Sequence, residues 1–271
     1  MNILITGAAG YIGQHLIKYL TSVDYNIDTL DILDSANPID IRSLPKIKKE
    51  YHTVIHLAAL VRVNESVKHP EEYYKTNITG TLNILNQINF KNFIFASTGA
   101  AEHCNSPYAL SKRAAEDLVS SICNRNSIDY TIFRFYNVLG SDGPAPTNTD
   151  GLFYNLIKAE STGVFNLYGT DYCTKDGTCV RDYVHVNEIC SAIIKAIDSP
   201  SNSVENLGHG TGWTVREIIN TYKQANLVDF KVNEFPRRTG DLEISVLDRP
   251  SKYMETLYTI EQLLTNPSLK L

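Results

Sequence analysis

Tyr108 and Lys112 stand four residues apart behind Ser106-Pro107, and Thr98 closes an apolar run upstream of them. On a helix the first two share a face. A hydroxyl, a phenol and an ammonium could therefore meet where a strand end and the next helix start adjoin. That set suits removal of a proton from an alcohol coupled to loss of hydride. A free tyrosine ionises near pH 10, too high for a base at neutral pH. A lysine cation at about 4 Å, in a medium of effective dielectric near 20, favours the phenolate by at most about 4 kcal/mol, roughly three pKa units. A positively charged cofactor ring would add to this, and Thr98 would hold the substrate hydroxyl as its proton leaves. The same spacing also fits an ordinary Tyr/Lys pair on a solvated face, so the pair does not decide the matter alone.

A second constellation lies at the start of the chain. Asn2–Thr6 is a short apolar run, followed by Gly7, Gly10 and Gly13, with Tyr11 and Ile12 opening an amphipathic pattern through Leu16 and Leu20. A strand, a glycine turn and a helix N-terminus make an anion site, because unpaired N–H groups and the positive end of the helix dipole face the turn. A tight turn without a ligand reads equally well from three glycines. Asp31 ends a second apolar run 18 residues after Gly13, the place where a carboxylate meets the adenosine ribose hydroxyls. It would repel a 2′-phosphate, so the expected cofactor is NAD rather than NADP.

These residues need a scaffold, and the pattern supplies one. Strands are expected at 26–31, 53–60, 92–97 and 130–135, alternating with helices at 70–89 and from Pro107 through Ile122. Ser106 is a suitable N-cap and Pro107 a suitable first residue of the latter, with Leu110, Ala114, Leu118 and Ile122 as its apolar stripe. Residues 38–42 read as a further short strand that would bring Asp40 and Ile41 near the adenine. Leu57, Ala58 and Ala59 let a cofactor approach the backbone, whereas His56, inside the same run, reads as a satisfied core histidine. Asn77 would hydrogen-bond a loop below the cofactor. Strand–helix alternation predicts an α/β fold, a doubly wound parallel sheet over 1–138. A smaller α/β lobe over 139–271 would grip substrate and interleave partly with the sheet. In it, helices are expected at 152–161, 187–197 and, behind the Thr214–Glu217 capping box, to about Asn226.

The chain has 271 residues, 43% of them hydrophobic, and carries 25 basic and 30 acidic residues for a net charge of −5. With no basic cluster, nucleic acid and anionic membrane are not expected partners. Any anionic substrate must be held by a few placed arginines. Five cysteines without a Cys-x-x-Cys pair read as reduced thiols, and neither a targeting segment nor a membrane span is evident, so a cytoplasmic protein without a metal site is expected.

Together, the three glycines, Thr98 and Tyr108-x-x-x-Lys112 resemble the extended short-chain dehydrogenase/reductases. Longer stretches resemble the UDP-galactose (UDP-glucose) 4-epimerases within them: 54–60, 65–81, 134–140, 168–186, 206–208 and 236–242. The stretch from Tyr168 to Val186 is the most specific. The resemblance implies NAD retained through the cycle, Tyr108 as base toward the sugar 4-hydroxyl, and a 4-keto sugar that rotates before hydride returns. It implies that Tyr136 lies by the cofactor, that Asn137, Arg181 and Arg237 hold the diphosphate, that Tyr168 and Leu152 line the uracil pocket, and that Asp241 contacts the ribose or orders Arg237. It also implies a homodimer through the helices at 71–89 and 107–124. Ser245 takes a position where a bulky tyrosine excludes N-acetylated sugars, so the resemblance implies room for UDP-GlcNAc and UDP-GalNAc.

The sequence departs from that pattern in three places. The segments 32–52 and 99–107 are short, and Val61, followed by Arg62, replaces the family's lysine after the small-residue strand end. A 4,6-dehydratase would need an acid pair where Gly99-Ala100-Ala101 stand. A UDP-glucuronate epimerase or decarboxylase would need a carboxylate partner that the sequence does not display. A non-catalytic NAD-binding protein has only the short loops in its favour.

Overall fold

The computed structural model describes residues 1–21, 25–238 and 241–265, so Thr239 and Gly240 of the 236–242 motif lie outside the described residues. In chain order the elements begin with β1 (Asn2–Thr6), α1 (Tyr11–Leu20), β2 (Asn26–Leu30), β3 (Glu50–His56), α2 (Val63–Lys68) and α3 (Pro70–Tyr74). They continue with α4 (Gly80–Gln87), β4 (Asn89–Thr98), α5 (Pro107–Asn126), β5 (Asp129–Phe135), β6 (Asn137–Leu139), α6 (Leu152–Thr162), β7 (Val164–Tyr168) and β8 (Val180–His185). The remainder is α7 (Val186–Asp198), β9 (Ser203–Leu207), β10 (Gly212–Thr214), α8 (Val215–Asn226), β11 (Lys231–Phe235), β12 (Ile244–Ser245) and α9 (Ile260–Leu264).

The chain divides into two compact units, Met1–Phe135 with Cys190–Glu205, and Tyr136–Ile189 with Asn206–Leu271. The first is built on a six-stranded sheet among the described residues, in the order β2-β1-β3-β4-β5-β9. The pairings from β2 through β5 are parallel. The order reverses between β1 and β3, and right-handed crossovers then place helices on opposite faces. Burial agrees: Leu4, Val54 and Phe93 on one face and Ile3, Ile55 and Ile94 on the other are at most 1% exposed, as strands covered on both sides require. The doubly wound α/β expectation holds. The second unit has its own core, in which Leu139, Leu156, Leu167, Tyr183, Ile218 and Leu263 pack together.

Local expectations fail where side chains outcompete the ladder. The strand expected at 38–42 is instead a single 3₁₀ turn, Ile41–Ser43, because the Asp40 carboxylate accepts the Arg42 N–H and caps it. The run at 53–60 leaves the sheet after His56. Ala58 N–H goes to the Thr6 hydroxyl, and the backbone of Leu60 goes to the Asn77 amide. The helix expected at 70–89 ends at Gln87 and is interrupted by a π turn at Lys75–Thr79. Pairing of Asn89 with Glu50 draws the following residues into β4.

In α5, Leu110 is 45% exposed, while Ala109, Lys112, Glu116, Val119 and Cys123 form the buried face. The predicted stripe at 110, 114, 118 and 122 is thus only the edge of that face. Its centre carries two ionisable residues that find partners inside. Among the described residues, no helix is long and apolar enough to cross a membrane, and the five cysteines are free thiols.

Helix α8 opens with the expected Thr214–Glu217 capping box and ends on Leu227, which is 94% exposed at φ +53°. A left-handed backbone costs a side-chain-bearing residue about 1–2 kcal/mol, whereas glycine adopts it freely at a smaller cost in chain entropy. Leu227→Gly should therefore raise stability by about 0.5–1 kcal/mol, seen as a higher urea midpoint. A lower midpoint would contradict this account.

Candidate active site

The first unit gathers most of the predicted residues at the carboxyl edge of its sheet. Gly7 has φ +73°, and a Cβ there would lie 2.6 Å from the Ala58 nitrogen. A Cβ on Gly13 would lie 2.4 Å from the Gly7 carbonyl oxygen. Gly13 is thus a packing requirement of the turn. Gly10 is the N-cap of α1 with no side-chain cap, which leaves the helix start lined by backbone N–H groups near Tyr11 and Ile12. Asp31 follows β2 directly. One carboxylate oxygen accepts the Ala9 N–H at 2.8 Å and the other the Leu33 N–H at 2.8 Å. The acid thereby ties the glycine turn to the end of β2, and each oxygen retains a second acceptor direction.

A cavity of about 580 Å³ opens there, lined by Gly7, Gly10, Asp31, Asp40, Ile41, Leu57, Ala58 and Ala59 among others. The glycine cradle, the bare helix start and the carboxylate fit a dinucleotide. Sequence reading missed Arg42, Glu65, His69, Glu72, Tyr73 and Thr76 on its walls. Arg42 alone had a local signal, two residues after Asp40. Its Nε donates to both Asp40 oxygens, at 2.9 and 3.0 Å, with Nη2 2.7 Å from one of them, and Nη1 donates to Glu72 at 3.0 Å. Asp40 therefore enters the wall as one half of an ion pair.

Asn77 is 1% exposed and sits in the π turn, a feature that recurs at functional sites. Its amide accepts from the Leu60 N–H and donates to the Leu60 carbonyl and to Ser111 Oγ, each at 2.9 Å. It links the cavity loop to α5. His56 is bonded to Thr6 Oγ1 at 2.6 Å and Thr81 Oγ1 at 3.0 Å and held down to about 3 by burial and the neighbouring Lys112 charge. It is the satisfied core histidine the sequence suggested.

Thr98 ends β4 and caps the 3₁₀ turn Gly99–Glu102 through the Ala100 N–H. After that turn the chain reaches Ser106, whose hydroxyl accepts the Ala109 N–H at 3.1 Å and starts α5 at Pro107. The short 99–107 segment thus still delivers Tyr108 to Thr98, whose hydroxyl is the neighbour that favours its phenolate. The Tyr108 ring meets Tyr73 edge-on at 6.4 Å. Lys112 is 3% exposed, with Nζ 4.1 Å from the centroid of the Phe95 ring. A solvated Tyr/Lys face is thereby excluded.

Burial changes the electrostatics expected from spacing. It pushes the Tyr108 phenol up to about 12, against which the neighbouring Thr98 hydroxyl works. It pulls the Lys112 ammonium down to about 7, against the opposing charge of Glu116. Burial thus works against the lysine, and the phenolate depends on a second positive charge beside it.

The second unit holds the remaining predicted residues. Tyr136 donates its backbone N–H to Leu207 O at 3.1 Å. Asn137, in β6, donates its side-chain amide to the Asp182 carbonyl at 3.0 Å. Arg181, in β8, lies 3.9 Å from Asp241 and opposite Ser245 in the β8–β12 register. Leu152 starts α6 and packs on that unit's core.

Tyr168 stacks on Phe235 at 5.3 Å, with the Arg238 guanidinium 4.1 Å over its ring. Arg237 lies 4.0 Å over the Tyr172 ring. Its Nε donates to the Asp171 carboxylate at 2.7 Å, and Nη2 to the Asp171 carbonyl. The residue ordering Arg237 is thus Asp171, and Asp241 serves Arg181 instead. Tyr172 feels Asp241, Arg181 and Arg237, so these two groups adjoin. Phe235, Tyr172 and Arg238 carried no local signal, because their roles arise from pairing of β7 with β11.

Residues 3–208 match the family described as "NAD dependent epimerase/dehydratase family". The UDP-glucose 4-epimerase of Haemophilus influenzae is 30% identical over 89% of this chain and 88% of its own length. UDP-arabinose 4-epimerase 1 of Arabidopsis thaliana is 29% identical over 94% of this chain and 74% of its own. The crystal structure of the Thermus thermophilus UDP-glucose 4-epimerase in complex with NAD superposes with a TM-score of 0.82 at 28% identity, covering 98% of this chain and 97% of that one.

Proposed function

The chain belongs to the NAD dependent epimerase/dehydratase family, and we propose that it is a UDP-sugar 4-epimerase acting on UDP-hexoses, N-acetylated ones included. The observation that carries this reading is the placing of Tyr108 beside Thr98 with Lys112 buried one helical turn on, at the edge that holds the glycine turn. Thr98 orients the sugar 4-hydroxyl and Tyr108 takes its proton as the C4–H bond breaks. Lys112, while charged, lowers the cost of the phenolate. When bound, NAD supplies the hydride acceptor and a positively charged ring. Arginine forks suit diphosphate oxygens, and Arg181, Arg237 and Asn137 are the groups assigned to that task. Tyr168 and Leu152 are assigned to the base and Asp241 to the ribose or to Arg181. A firm hold on the nucleotide and a loose one on the sugar would let the 4-keto intermediate turn without escaping.

Substrate choice rests on Ser245. A small side chain beside Arg181 supports acceptance of an N-acetyl group. Purified protein should interconvert UDP-glucose with UDP-galactose and UDP-GlcNAc with UDP-GalNAc. Ser245→Tyr should lower kcat/KM for the acetylated pair by about 10-fold or more and for the plain pair by less than about threefold. If the parent enzyme leaves the acetylated pair untouched, that assignment is wrong. A pentose nucleotide is the second reading, favoured by the similarity to the Arabidopsis thaliana protein named for UDP-arabinose. Including UDP-arabinose in the same panel decides between them.

A further inference from the structure

Glu116 lies one turn beyond Lys112 on α5 and is 2% exposed, a burial that a carboxylate tolerates only when paired. Arg134, from β5, donates Nε to one oxygen at 2.9 Å and Nη2 to the other at 2.7 Å. Ser97, the residue before Thr98 on β4, donates its hydroxyl to the first oxygen. The helix that carries Tyr108 and Lys112 is thereby fastened to two neighbouring strands through one carboxylate. One of those strands presents Thr98 at the very next residue.

Apolar packing alone would have served to hold α5 on the sheet, and replacing a buried pair by apolar residues often costs no stability. We propose that Glu116 is a positioning residue that acts through Lys112, setting the height of α5 over Thr98 and keeping the Lys112 ammonium charged. This rests on the reading of Tyr108 as the base. Lys112 needs such help: the groups around it are Tyr108 on its own helix, His56 from β3, the Phe95 ring from β4, Tyr73 from α3 through Tyr108, and Arg134 from β5 through Glu116. The Glu116 carboxylate opposes the effect of burial on the lysine. A carboxylate on the adjacent turn stands about 5–6 Å away between Cβ atoms, close enough to move the titration of a buried group by about one to two pH units.

The test follows the Lys112 side chain by NMR in lysine-labelled protein, beside the alkaline limb of kcat. Glu116→Gln keeps the shape and removes the charge. It should lower the Lys112 midpoint by about one to two units, and the alkaline limb of kcat should move down with it. Ser97→Ala removes a hydrogen bond without altering charge and should leave the midpoint in place, whatever it does to Tm. Should Glu116→Gln fail to fold because Arg134 loses this carboxylate, the double variant Glu116→Gln/Arg134→Met removes both charges and should still lower the midpoint, by less. An unmoved midpoint in a folded Glu116 variant overturns the proposal. A midpoint that moves in a protein whose parent has no epimerase turnover overturns the functional reading and leaves the Glu116–Lys112 coupling established.

Discussion

Tyr108→Phe should lower kcat for 4-epimerisation by about 10²–10⁴-fold, the usual contribution of a general base. Nucleotide-sugar and NAD affinities should stay within about threefold, because a group that acts in the transition state leaves ground-state binding largely intact. The variant is a fair test since the phenylalanine ring keeps the edge-on contact with Tyr73. It forfeits only the hydroxyl that faces Thr98, whose own oxygen still accepts the Ala100 N–H at 3.3 Å. Stability should change by no more than about 1 kcal/mol. Turnover within tenfold of the parent would refute Tyr108 as the base. Absence of turnover in both proteins, with NAD bound, would mark a binding protein instead of an enzyme.

The glycine turn gives the second large effect, and it separates fold from cofactor. Gly7→Ala must accommodate a Cβ at φ +73° and 2.6 Å from backbone at the end of β3. Strained conformation and overpacking against main chain together cost about 2–4 kcal/mol, so the variant should show a clear fall in Tm along with lost NAD binding. At Gly10 a Cβ meets only the Gly7 carbonyl oxygen, at 3.2 Å, and φ is −72°. Gly10→Ala should therefore leave Tm within a few degrees yet weaken NAD binding by about 10-fold or more, because the methyl group stands where backbone must approach the pyrophosphate. Equal NAD affinity in Gly10→Ala and parent, measured by calorimetry, would place the dinucleotide elsewhere.

Much of this site is written in short-range pattern. The spacing of Gly7, Gly10 and Gly13, the position of Asp31, and the Ser106-Pro107 start that sets Tyr108 and Lys112 on one face all depend on neighbours a few residues away. The capping box at Thr214 and the alternation of apolar strands with helices are equally local, and the fold class follows from them. Where a side chain could bond the backbone nearby, local reading went astray, as at Asp40, whose cap replaced an expected strand.

What only the tertiary structure decided concerns charge. Spacing puts Lys112 where its charge would favour the phenolate, but folding buries it over Phe95 and draws it down to about 7, with Glu116 opposing that fall. The partner of that carboxylate, Arg134, is 18 residues away, and the partner of Arg237 is Asp171, 66 residues away. Burial and ion pairing are set by which distant segments the sheet brings together, and desolvation acts on a group only once the chain has closed around it. The amino-acid order therefore determined which groups meet at the sheet edge, while the closed fold decided their protonation.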